Sequence, residues 1–215
     1  MKICGLTKTY NGRRVLDLPE MEVRDGTICS IAGTNGSGKS TMAKILAGIE
    51  KPDGGKVPIE ANVGYMPQQN FAFRMTVLKN IMLNGDDSER AKLLYERMGL
   101  TALLDKNAKT LSGGETARMA LCRLLMKDYD LLILDEPTAA MDIEATAQSE
   151  ALIKEYCDKT GCTVFIVSHS LQQAKRMSDE VMFLYEGRLA ERCKTENLDN
   201  PQTEELKRFL EFYGV

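Results

Sequence analysis

The stretch Gly33-Thr34-Asn35-Gly36-Ser37-Gly38-Lys39-Ser40 decides the fold, because it follows the phosphate-loop pattern G-x-x-x-x-G-K-[ST]. Residues 27–32 before it are predicted to form a buried strand, and residues 39–47 after it a helix that ends at Gly48. The glycines let the backbone curl so that N–H groups point at a phosphate, and the helix adds its positive N-terminal end. An ordinary glycine-rich turn is the structural alternative, and the order of strand, loop and helix favours phosphate binding.

Two acidic residues follow a second apolar stretch, Leu-Leu-Ile-Leu at 131–134. In this motif class Lys39 supplies charge to the β- and γ-phosphates, and the Ser40 hydroxyl ligates Mg²⁺. Ligands of open α/β sheets collect at the carboxyl ends of strands. Asp135 therefore fits the Mg²⁺-side acid of P-loop ATPases, and Glu136 is placed to polarise an attacking water as general base. A structural reading, in which both acids only cap the next segment, is the alternative.

The composition is that of one folded domain. The 215 residues are 43% hydrophobic and 27% charged, which is enough to bury one core. A net charge of −3, with no block of consecutive lysines and arginines, weighs against a nucleic-acid partner. The six cysteines contain no C-x-x-C pair and there is a single histidine, so a Cys/His zinc site is not expected. Scattered cysteines of this kind are usually buried in proteins of a reducing cytosol.

Insertion into a membrane is not predicted for this chain. The first six residues read as a strand and not as a secretory signal, and no apolar run approaches the roughly 18 residues needed to cross a bilayer. We therefore expect a cytoplasmic chain, for which any membrane role depends on a separate partner.

The order of the predicted elements indicates an α/β protein. Turns are predicted at Asn11-Gly12, Asp25-Gly26 and Glu186-Gly187, and over residues 52–55. Besides the strands before the phosphate loop and the first acid, strands are predicted over 2–6, 15–18, 56–59, 63–66, 163–167, 181–184 and 188–190. Later helices are predicted over 115–126, 143–157 and 203–212. Because helices and strands alternate after residue 115, we expect a mostly parallel sheet with helices on both faces.

Residues from about 76 to 98 change from alternating to helical spacing. Val77, Ile81, Ala91 and Leu94 recur at helical intervals, and Asp86-Asp87-Ser88-Glu89 fits a helix start. We predict a small helical lobe over about residues 69–115, inserted into a core lobe formed by about residues 1–68 and 116–215.

The segment Leu111-Ser112-Gly113-Gly114-Glu115 narrows the class of nucleotide-binding protein. Ser112 and Glu115 form an S-x-x-E capping box at a helix start. The glycine N–H groups and the positive helix end make a second anion site. The segment resembles the signature motif of the ATP-binding cassette (ABC) family, and a purely structural capping box is the alternative.

Other residues resemble the motifs of that family, in the order the family has them. Tyr10 lies where ABC proteins stack an aromatic ring on adenine. Gln68 resembles the Q-loop glutamine, which touches Mg²⁺ or water and senses the γ-phosphate, and the neighbouring Gln69 leaves the assignment open by one residue. Asp142 resembles the D-loop acid, and His169, the only histidine, resembles the switch histidine. Taken singly, a tyrosine at this position is more often an aromatic residue packed in a hairpin, and a lone histidine after a strand is usually structural.

The resemblance covers the chain from end to end and implies the P-loop ABC ATPase fold, with a mostly parallel core, an N-terminal antiparallel part and an inserted helical lobe. It implies ATP and Mg²⁺ as cofactors. The residues expected at the nucleotide are Tyr10, Gly33, Thr34, Asn35, Gly36, Ser37, Gly38, Lys39, Ser40, Thr41, Ser112, Gly113, Gly114 and Asp142. Catalytic roles fall on Glu136, His169 and Gln68, and Mg²⁺ ligation on Ser40, Gln68 and Asp135.

The resemblance also implies partners. ABC cassettes pair head to tail, here most simply as a homodimer, so that the signature of one subunit closes on ATP held by the other. A single short cassette resembles the ATPase subunits of importers, which lie on the inner face of the membrane against an integral permease and in some systems serve a solute-binding protein. Its brevity and residues 70–75 resemble tungstate/molybdate-type oxyanion importers. Exporters and lipoprotein-extraction, cell-envelope regulator and iron–sulfur assembly ATPases of this family stay open as alternatives.

Two positions depart from the family pattern, and one aromatic pair has two possible roles. Thr116-Ala117 precede Arg118 where the family often has a glutamine, and Met141 replaces a more usual leucine. Phe71 and Phe73 follow the Q-loop and form either an exposed apolar patch, suited to a permease, or the core of the helical lobe.

Overall fold

A ten-stranded sheet runs through the part of the chain that the computed structural model describes, which is residues 1–57 and 62–213. Its strands are β1 (Lys2–Tyr10), β2 (Arg13–Asp17), β3 (Met21–Glu22), β4 (Ile28–Gly33), β5 (Gly54–Lys56), β6 (Val63–Met66), β7 (Leu131–Asp135), β8 (Thr163–Val167), β9 (Glu180–Tyr185) and β10 (Arg188–Lys194). The helices are α1 (Lys39–Leu46), α2 (Val77–Ile81), α3 (Ser88–Arg97), α4 (Gly113–Leu125), α5 (Ile143–Thr160), α6 (Leu171–Met177) and α7 (Glu204–Tyr213).

The centre of the sheet is parallel, in the order β9-β4-β8-β7-β6. The N-terminal strand β1 pairs antiparallel with β2, β3 and β5, and β10 pairs antiparallel with β9. The two parts join where β10 meets β2. The predicted α/β class, with a mostly parallel core and an antiparallel N-terminal part, is confirmed.

Alternate residues of β7 face opposite layers of the molecule. Leu131 and Ile133 belong to the buried cluster that contains α1, whereas Leu132 and Leu134 belong to the cluster that contains α4 and α5. Side chains of a strand alternate between its two faces, so a strand that is apolar throughout is covered on both sides. Helices therefore cover both faces of the sheet, as predicted.

Both predicted two-residue hairpins are present. Asn11 and Gly12 have φ values of 49° and 78°, and Glu186 and Gly187 have values of 47° and 81°. Positive φ at both central residues matches the twist of the flanking strands. Pairing therefore continues up to the first turn, so β1 and β2 extend beyond the predicted 2–6 and 15–18 to Tyr10↔Arg13.

The turn predicted over residues 52–55 is wrong in its second half. Gly54 and Gly55 belong to β5, which pairs with β1 through Thr7↔Gly54 and Cys4↔Lys56. The strand predicted over 56–59 thus overlaps β5 only at Lys56, and residues 58–61 lie outside the described part of the chain. A Cβ atom on Gly55 would lie 1.6 Å from the Gly5 carbonyl oxygen, so glycine is required there for close approach of the backbones.

Helix α6 was not predicted from the sequence. It has only seven residues, which is too few to display a helical period. Its start is fixed by Ser170, whose hydroxyl accepts a hydrogen bond from the Gln173 N–H. The pattern Ser170-x-x-Gln173 is a capping-box signature and is the signal in the sequence that marks this helix.

In the helical lobe, α3 starts where the sequence predicted a helix start, and α2 has a cap that was not predicted. Asp87 caps α3 by accepting from the Arg90 N–H, and Thr76 caps α2 by accepting from the Lys79 N–H. Residues of α2 and α3, with Leu100 and Ala108 after them, share one buried cluster with α4. The lobe is therefore packed on the helix that follows the signature segment, and its limits at residues 69 and 115 stay a prediction.

Four cysteines are buried as predicted, namely Cys29, Cys122, Cys157 and Cys162, whereas Cys4 and Cys193 are half-buried. Burial raises the pKa of Cys157 to about 11 and that of Cys162 to about 12, so both stay protonated thiols. No described helix is both long enough and apolar enough to cross a bilayer.

The pairing of β5 with β1 predicts different outcomes at two glycines with nearly equal φ. Gly55→Ala is expected to lower the free energy of unfolding by at least about 3 kcal/mol, because its Cβ meets the Gly5 carbonyl. Gly12→Ala, with φ 78° but nothing within 4 Å of its Cβ, should cost about 1–2 kcal/mol. Urea denaturation measures both, and equal losses would contradict the close approach of β5 to β1.

Candidate functional site

A cavity of about 470 Å³ opens where β4, β7 and β8 end. These strands are neighbours in the parallel sheet, so their carboxyl ends meet at one edge. The cavity is lined by Tyr10, Val15, Asn35, Gly36, Gly38, Lys39, Ser40, Thr41, Gln68, Glu136 and His169. Ten of these eleven lining residues are among the site residues expected from the sequence, and Val15 of the first hairpin is the addition.

Lys39 is turned back onto the phosphate loop. Its Nζ donates hydrogen bonds to the carbonyl oxygens of Gly33 (2.9 Å) and Thr34 (2.8 Å), and the residue is 5% exposed. Burial lowers the pKa of Lys39, and the nearby carboxylates of Glu136 and Asp135 oppose that effect. The Lys39 ammonium is held by two neutral carbonyls and forms no ion pair with residues 1–57 or 62–213, so it is suited to meet an anionic ligand.

The glycines of the loop adopt the left-handed backbone that the motif requires. Gly36 has φ 75° with nothing near a built Cβ, whereas a Cβ on Gly38, at φ 98°, would lie 2.7 Å from the Val15 carbonyl oxygen. The Ser37 hydroxyl is buried and has no hydrogen-bond partner within residues 1–57 and 62–213. The loop therefore offers an open backbone cradle and a buried hydroxyl to a ligand.

Ser40 lines the cavity, and the buried Asp135 lies next to it. The Ser40 hydroxyl donates to Asp135 Oδ1 at 3.4 Å, and Asp135 is 2% exposed. Burial raises the pKa of Asp135, an effect that the Ser40 hydrogen bond and the charges of Lys44 and Lys39 oppose. Gln68 lines the same cavity as Ser40. The Ser40 hydroxyl, the Asp135 carboxylate and the Gln68 amide thus offer oxygen ligands of the kind that Mg²⁺ prefers.

Glu136 and His169 line the cavity in direct contact with each other. Glu136 Oε1 lies 2.7 Å from His169 Nε2. Glu136 has φ 52°, which is rare for a residue with a side chain, and its N–H donates to the Val167 carbonyl at 3.0 Å. The unusual backbone directs the carboxylate to the cavity immediately after β7 ends, and strain of this kind concentrates at functional sites.

Tyr10 lies at the rim of the cavity and is 41% exposed. Two neighbouring side chains hold it in place. Its hydroxyl donates to Glu50, and the Lys8 ammonium lies 5.4 Å from the ring centroid and 3.2 Å from Glu50. Burial and the Glu50 carboxylate raise the pKa of Tyr10. Sequence reasoning did not find Lys8 or Glu50, because no motif links residues that meet only through the fold.

The signature segment is folded as a capping box. The Ser112 N–H donates to Glu115 Oε2 at 2.7 Å, and the Glu115 N–H donates to the Ser112 hydroxyl at 3.3 Å. The hydrogen bonds from Ser112 lower the pKa of Glu115. Gly114 packs so closely that a Cβ would lie 2.8 Å from the Ala140 carbonyl oxygen. The predicted helix start is confirmed, two residues earlier than expected, at Gly113.

The structure does not bring the signature to the phosphate loop. The cavity of about 470 Å³ is called the phosphate cavity below, because the phosphate loop lines it. The described residues that line it do not include Ser112, Gly113, Gly114 or Asp142. Asp142 instead caps α5, where its carboxylate accepts from the Ala145 N–H at 2.8 Å. Two other expected residues, Gly33 and Thr34, accept hydrogen bonds from Lys39 through their carbonyl oxygens. Thr34 in addition lines a separate cavity beside α7. Gln69 is not among the described residues that line the phosphate cavity.

A second cavity, of about 250 Å³, lies next to Glu136 and His169. Its other lining residues are Thr138, Ala139, Thr146, Ser168, Ser170, Gln173 and Arg176. Sequence reasoning named none of them as site residues. The unrecognised capping-box pattern at Ser170 and Gln173 was the available signal for this part of the site.

Phe71 and Phe73 form an exposed aromatic pair and not the core of the helical lobe. They are 58% and 43% exposed, and their ring centroids are 5.5 Å apart. Lys109 Nζ lies 4.3 Å from the Phe71 ring centroid, and Arg123 lies 5.3 Å from that of Phe73. The fully buried Asn80 accepts from the Phe73 N–H, so the segment is fixed to the lobe.

Known proteins resemble this chain over nearly its whole length. A model of the ABC transporter family matches residues 16–139. The tungstate uptake system ATP-binding protein TupC of Peptoclostridium acidaminophilum is 34% identical over 88% of this chain and 96% of its own length. The zinc import ATP-binding protein ZnuC of Vibrio vulnificus is 36% identical over 84% of this chain and 71% of its own length.

A solved ATP-binding cassette has the same fold. It was captured as a dimer in a post-hydrolysis state bound to ADP and Pi, and it superposes with a TM-score of 0.81 at 26% identity. The match covers 90% of this chain and 98% of that one. The phosphate loop, the paired acids and the histidine thus lie on a fold that holds a nucleotide in a relative, and the chain belongs to the ABC transporter family as an ATP-binding subunit with ATPase activity.

Proposed function

We propose that this ATPase is the energising subunit of a membrane importer, which binds ATP between two copies of itself and drives a separate permease. The observation that carries the proposal is the division of the site. The phosphate loop, Glu136 and His169 share one cavity, whereas the signature glycines of the same chain lie outside it. A second copy is then required to supply Gly113 and Gly114 to the nucleotide.

The nucleotide contacts follow from the cavity. Tyr10 stacks on adenine, since its exposed ring stands at the rim, held by Glu50. The phosphates lie on the loop between β4 and α1, where backbone N–H groups and the helix end attract anions. The residues that hold them are Gly33, Thr34, Asn35, Gly36, Ser37, Gly38, Lys39, Ser40 and Thr41. On phosphate binding, Lys39 exchanges its loop carbonyls for phosphate oxygens.

The proposed Mg²⁺ site comprises Ser40, Asp135 and Gln68. These supply a hydroxyl, a carboxylate and an amide oxygen, and Mg²⁺ in nucleotide sites is usually held by one or two carboxylates together with phosphates. An ion held by these residues would supply positive charge to neutralise the β- and γ-phosphates.

Hydrolysis is assigned to Glu136 and His169, assisted by Gln68. Glu136 takes the proton of the attacking water, because its carboxylate is directed into the cavity beside the phosphate loop. His169 lies within hydrogen-bond distance of that carboxylate, at 2.7 Å, and so orients it. Gln68 follows β6 and lines the same cavity, and we assign to it the detection of the γ-phosphate.

Closure of two copies converts ATP binding into motion. Ser112, Gly113 and Gly114 of one copy contact the nucleotide held by the other, and Asp142 approaches from the same side, since Gly114 packs on the Ala140 carbonyl. Contacts present only in the closed pair shift the equilibrium toward closure, and loss of the γ-phosphate reverses it.

The exposed Phe71–Phe73 pair is the proposed contact with the permease. The two rings form an apolar patch bordered by the cations of Lys109 and Arg123, which suits a segment that is partly apolar and partly acidic. The chain then lies on the cytoplasmic face of the membrane, and a solute-binding protein delivers cargo on the opposite side. No nucleic acid is expected as a partner, given the net charge of −3.

An oxyanion is the proposed cargo. Support comes from TupC, whose name describes tungstate uptake and whose length this chain matches almost completely. ZnuC, named for zinc import, has comparable identity over a smaller share of its length. Cargo selectivity therefore rests on the permease and the solute-binding protein more than on this subunit.

Glu136→Gln tests the base. The variant should bind ATP with wild-type affinity, hydrolyse it at least about 100-fold more slowly, and accumulate as a dimer with ATP. Steady-state ATPase assays and size-exclusion chromatography with light scattering measure the two effects. Glu211→Gln, on the exposed side of α7, is the matched control. Wild-type turnover by Glu136→Gln would remove that residue from the role of base.

Lys39→Ala tests the phosphate loop. Loss of the buried ammonium should weaken ATP binding by about 100-fold or more, because the phosphates lose their closest cation. Isothermal titration calorimetry measures the affinity, and the unfolding midpoint without nucleotide shows that the fold persists. Lys92→Ala, at an exposed position of α3, should bind ATP normally. Unchanged affinity in Lys39→Ala would contradict the assignment.

Co-purification tests the transport role. Glu136→Gln protein, isolated from its own cells in mild detergent with ATP and Mg²⁺, should carry along a polytopic membrane protein that mass spectrometry identifies. The double substitution Phe71→Ser with Phe73→Ser should lose that partner and keep ATP binding. Recovery of ribosomes, or of cluster-assembly proteins without a permease, would overturn the importer proposal while leaving the ATPase intact.

A further inference from the structure

We infer that Gln173 is a positioning residue for ATP hydrolysis, because its side-chain amide joins the segment after Glu136 to the loop that carries His169. The inference rests on the proposed roles of Glu136 and His169 and adds a residue on which neither the sequence motifs nor the comparisons place a function.

Gln173 is 7% exposed, and its side chain bonds to both loops. Its Nε2 donates to the Thr138 hydroxyl at 2.8 Å, and its Oε1 accepts from the Ser168 hydroxyl at 2.7 Å. Thr138 lies two residues after Glu136, and Ser168 lies immediately before His169. The amide thus bridges the backbone segments of the two groups that meet in the phosphate cavity.

Glu150 of α5 and Arg176 of α6 hold the Gln173 amide in place. Gln173 Nε2 also donates to Glu150 Oε1 at 3.1 Å. Glu150 in turn accepts two hydrogen bonds from Arg176, at 3.0 and 2.9 Å. Bidentate carboxylate–guanidinium pairs of this kind hold both side chains in a defined relative orientation, in addition to their electrostatic attraction. Glu150 is 7% exposed, so the anchor is largely shielded from solvent and holds the amide in one orientation.

An amide is the chemical group that this position requires. Glutamine offers a donor and an acceptor on one planar group, and here the donor serves Thr138 and Glu150 while the acceptor serves Ser168. An apolar side chain of similar length makes none of these bonds.

The neighbouring cavity explains why a bridge is needed. About 250 Å³ of open space lies beside Glu136 and His169, bordered by Thr138, Ser168 and Gln173. Packing alone therefore does not immobilise the two loops on this side. Since Glu136 Oε1 and His169 Nε2 are 2.7 Å apart, a small displacement of either loop separates them. Misplacement by about 1 Å can cost on the order of 100-fold in rate.

Three substitutions test the inference by comparing kcat with KM for ATP. Gln173→Met and Thr138→Val should each lower kcat roughly tenfold, with KM within about twofold, because the nucleotide contacts are untouched. Thr138→Ser keeps the hydroxyl and should restore kcat to near the wild-type value. The Thr138 pair decides the question if Gln173→Met fails to fold. Lys175→Met is the control and should leave kcat unchanged, because it removes an ion pair with Asp199 and neither residue is among the described residues that line the two cavities.

A background experiment separates positioning from general damage. In Glu136→Gln protein, adding Thr138→Val should cause no further loss of single-turnover rate, since the bridge acts through the Glu136 carboxylate. Unchanged kcat in Gln173→Met and Thr138→Val, beside a slow Glu136→Gln variant, would overturn this inference alone. Wild-type turnover by Glu136→Gln would overturn the base assignment and the inference with it.

Discussion

The whole site depends on the parallel pairing of β8 with β4 on one side and with β7 on the other. That register places the carboxyl ends of three strands side by side. Gly33, Asp135 and the loop that carries His169 therefore lie at the same edge of the sheet. The hydrogen bond from the Glu136 N–H to the Val167 carbonyl extends the register by one residue beyond β7. Glu136 itself has a left-handed backbone, and its carboxylate lies 2.7 Å from His169 Nε2.

Much of this arrangement could be predicted from the sequence, since the residues involved are consecutive or carry local signals. The loop from Gly33 to Ser40 predicted its own strand and helix, Ser112 and Glu115 predicted a helix start, and Asn11-Gly12 predicted a hairpin. Each signal acts within a few residues and meets little competition from tertiary contacts. That Lys39 and Glu136 meet was expected because both follow strands of one parallel sheet, and that His169 joins them was implied by the resemblance to the ABC family.

The remainder depends on contacts between distant residues. The pair Gly54-Gly55 predicts a turn from sequence alone. In the fold these glycines lie in a strand that approaches β1 closely, which leaves no room for a Cβ on Gly55. Helix α6 is too short to show a period, and Gln173 gains its partners only when α5 and α6 pack together. The exposure of Phe71 and Phe73 was undecided from sequence, because aromatic residues occur in cores and at interfaces alike. Glu50 meets Tyr10 through the fold alone.

The central claim is that each ATP site is completed by two copies of the chain, and mixing two inactive variants tests it most directly. Lys39→Ala lacks the phosphate contact and keeps the signature, whereas Ser112→Arg keeps the phosphate loop and blocks the signature. Each variant alone should be inactive. If sites are shared, an equimolar mixture forms mixed dimers with one intact site and recovers up to about a quarter of the wild-type ATPase rate. A mixture that forms mixed dimers and stays inactive would contradict the shared site.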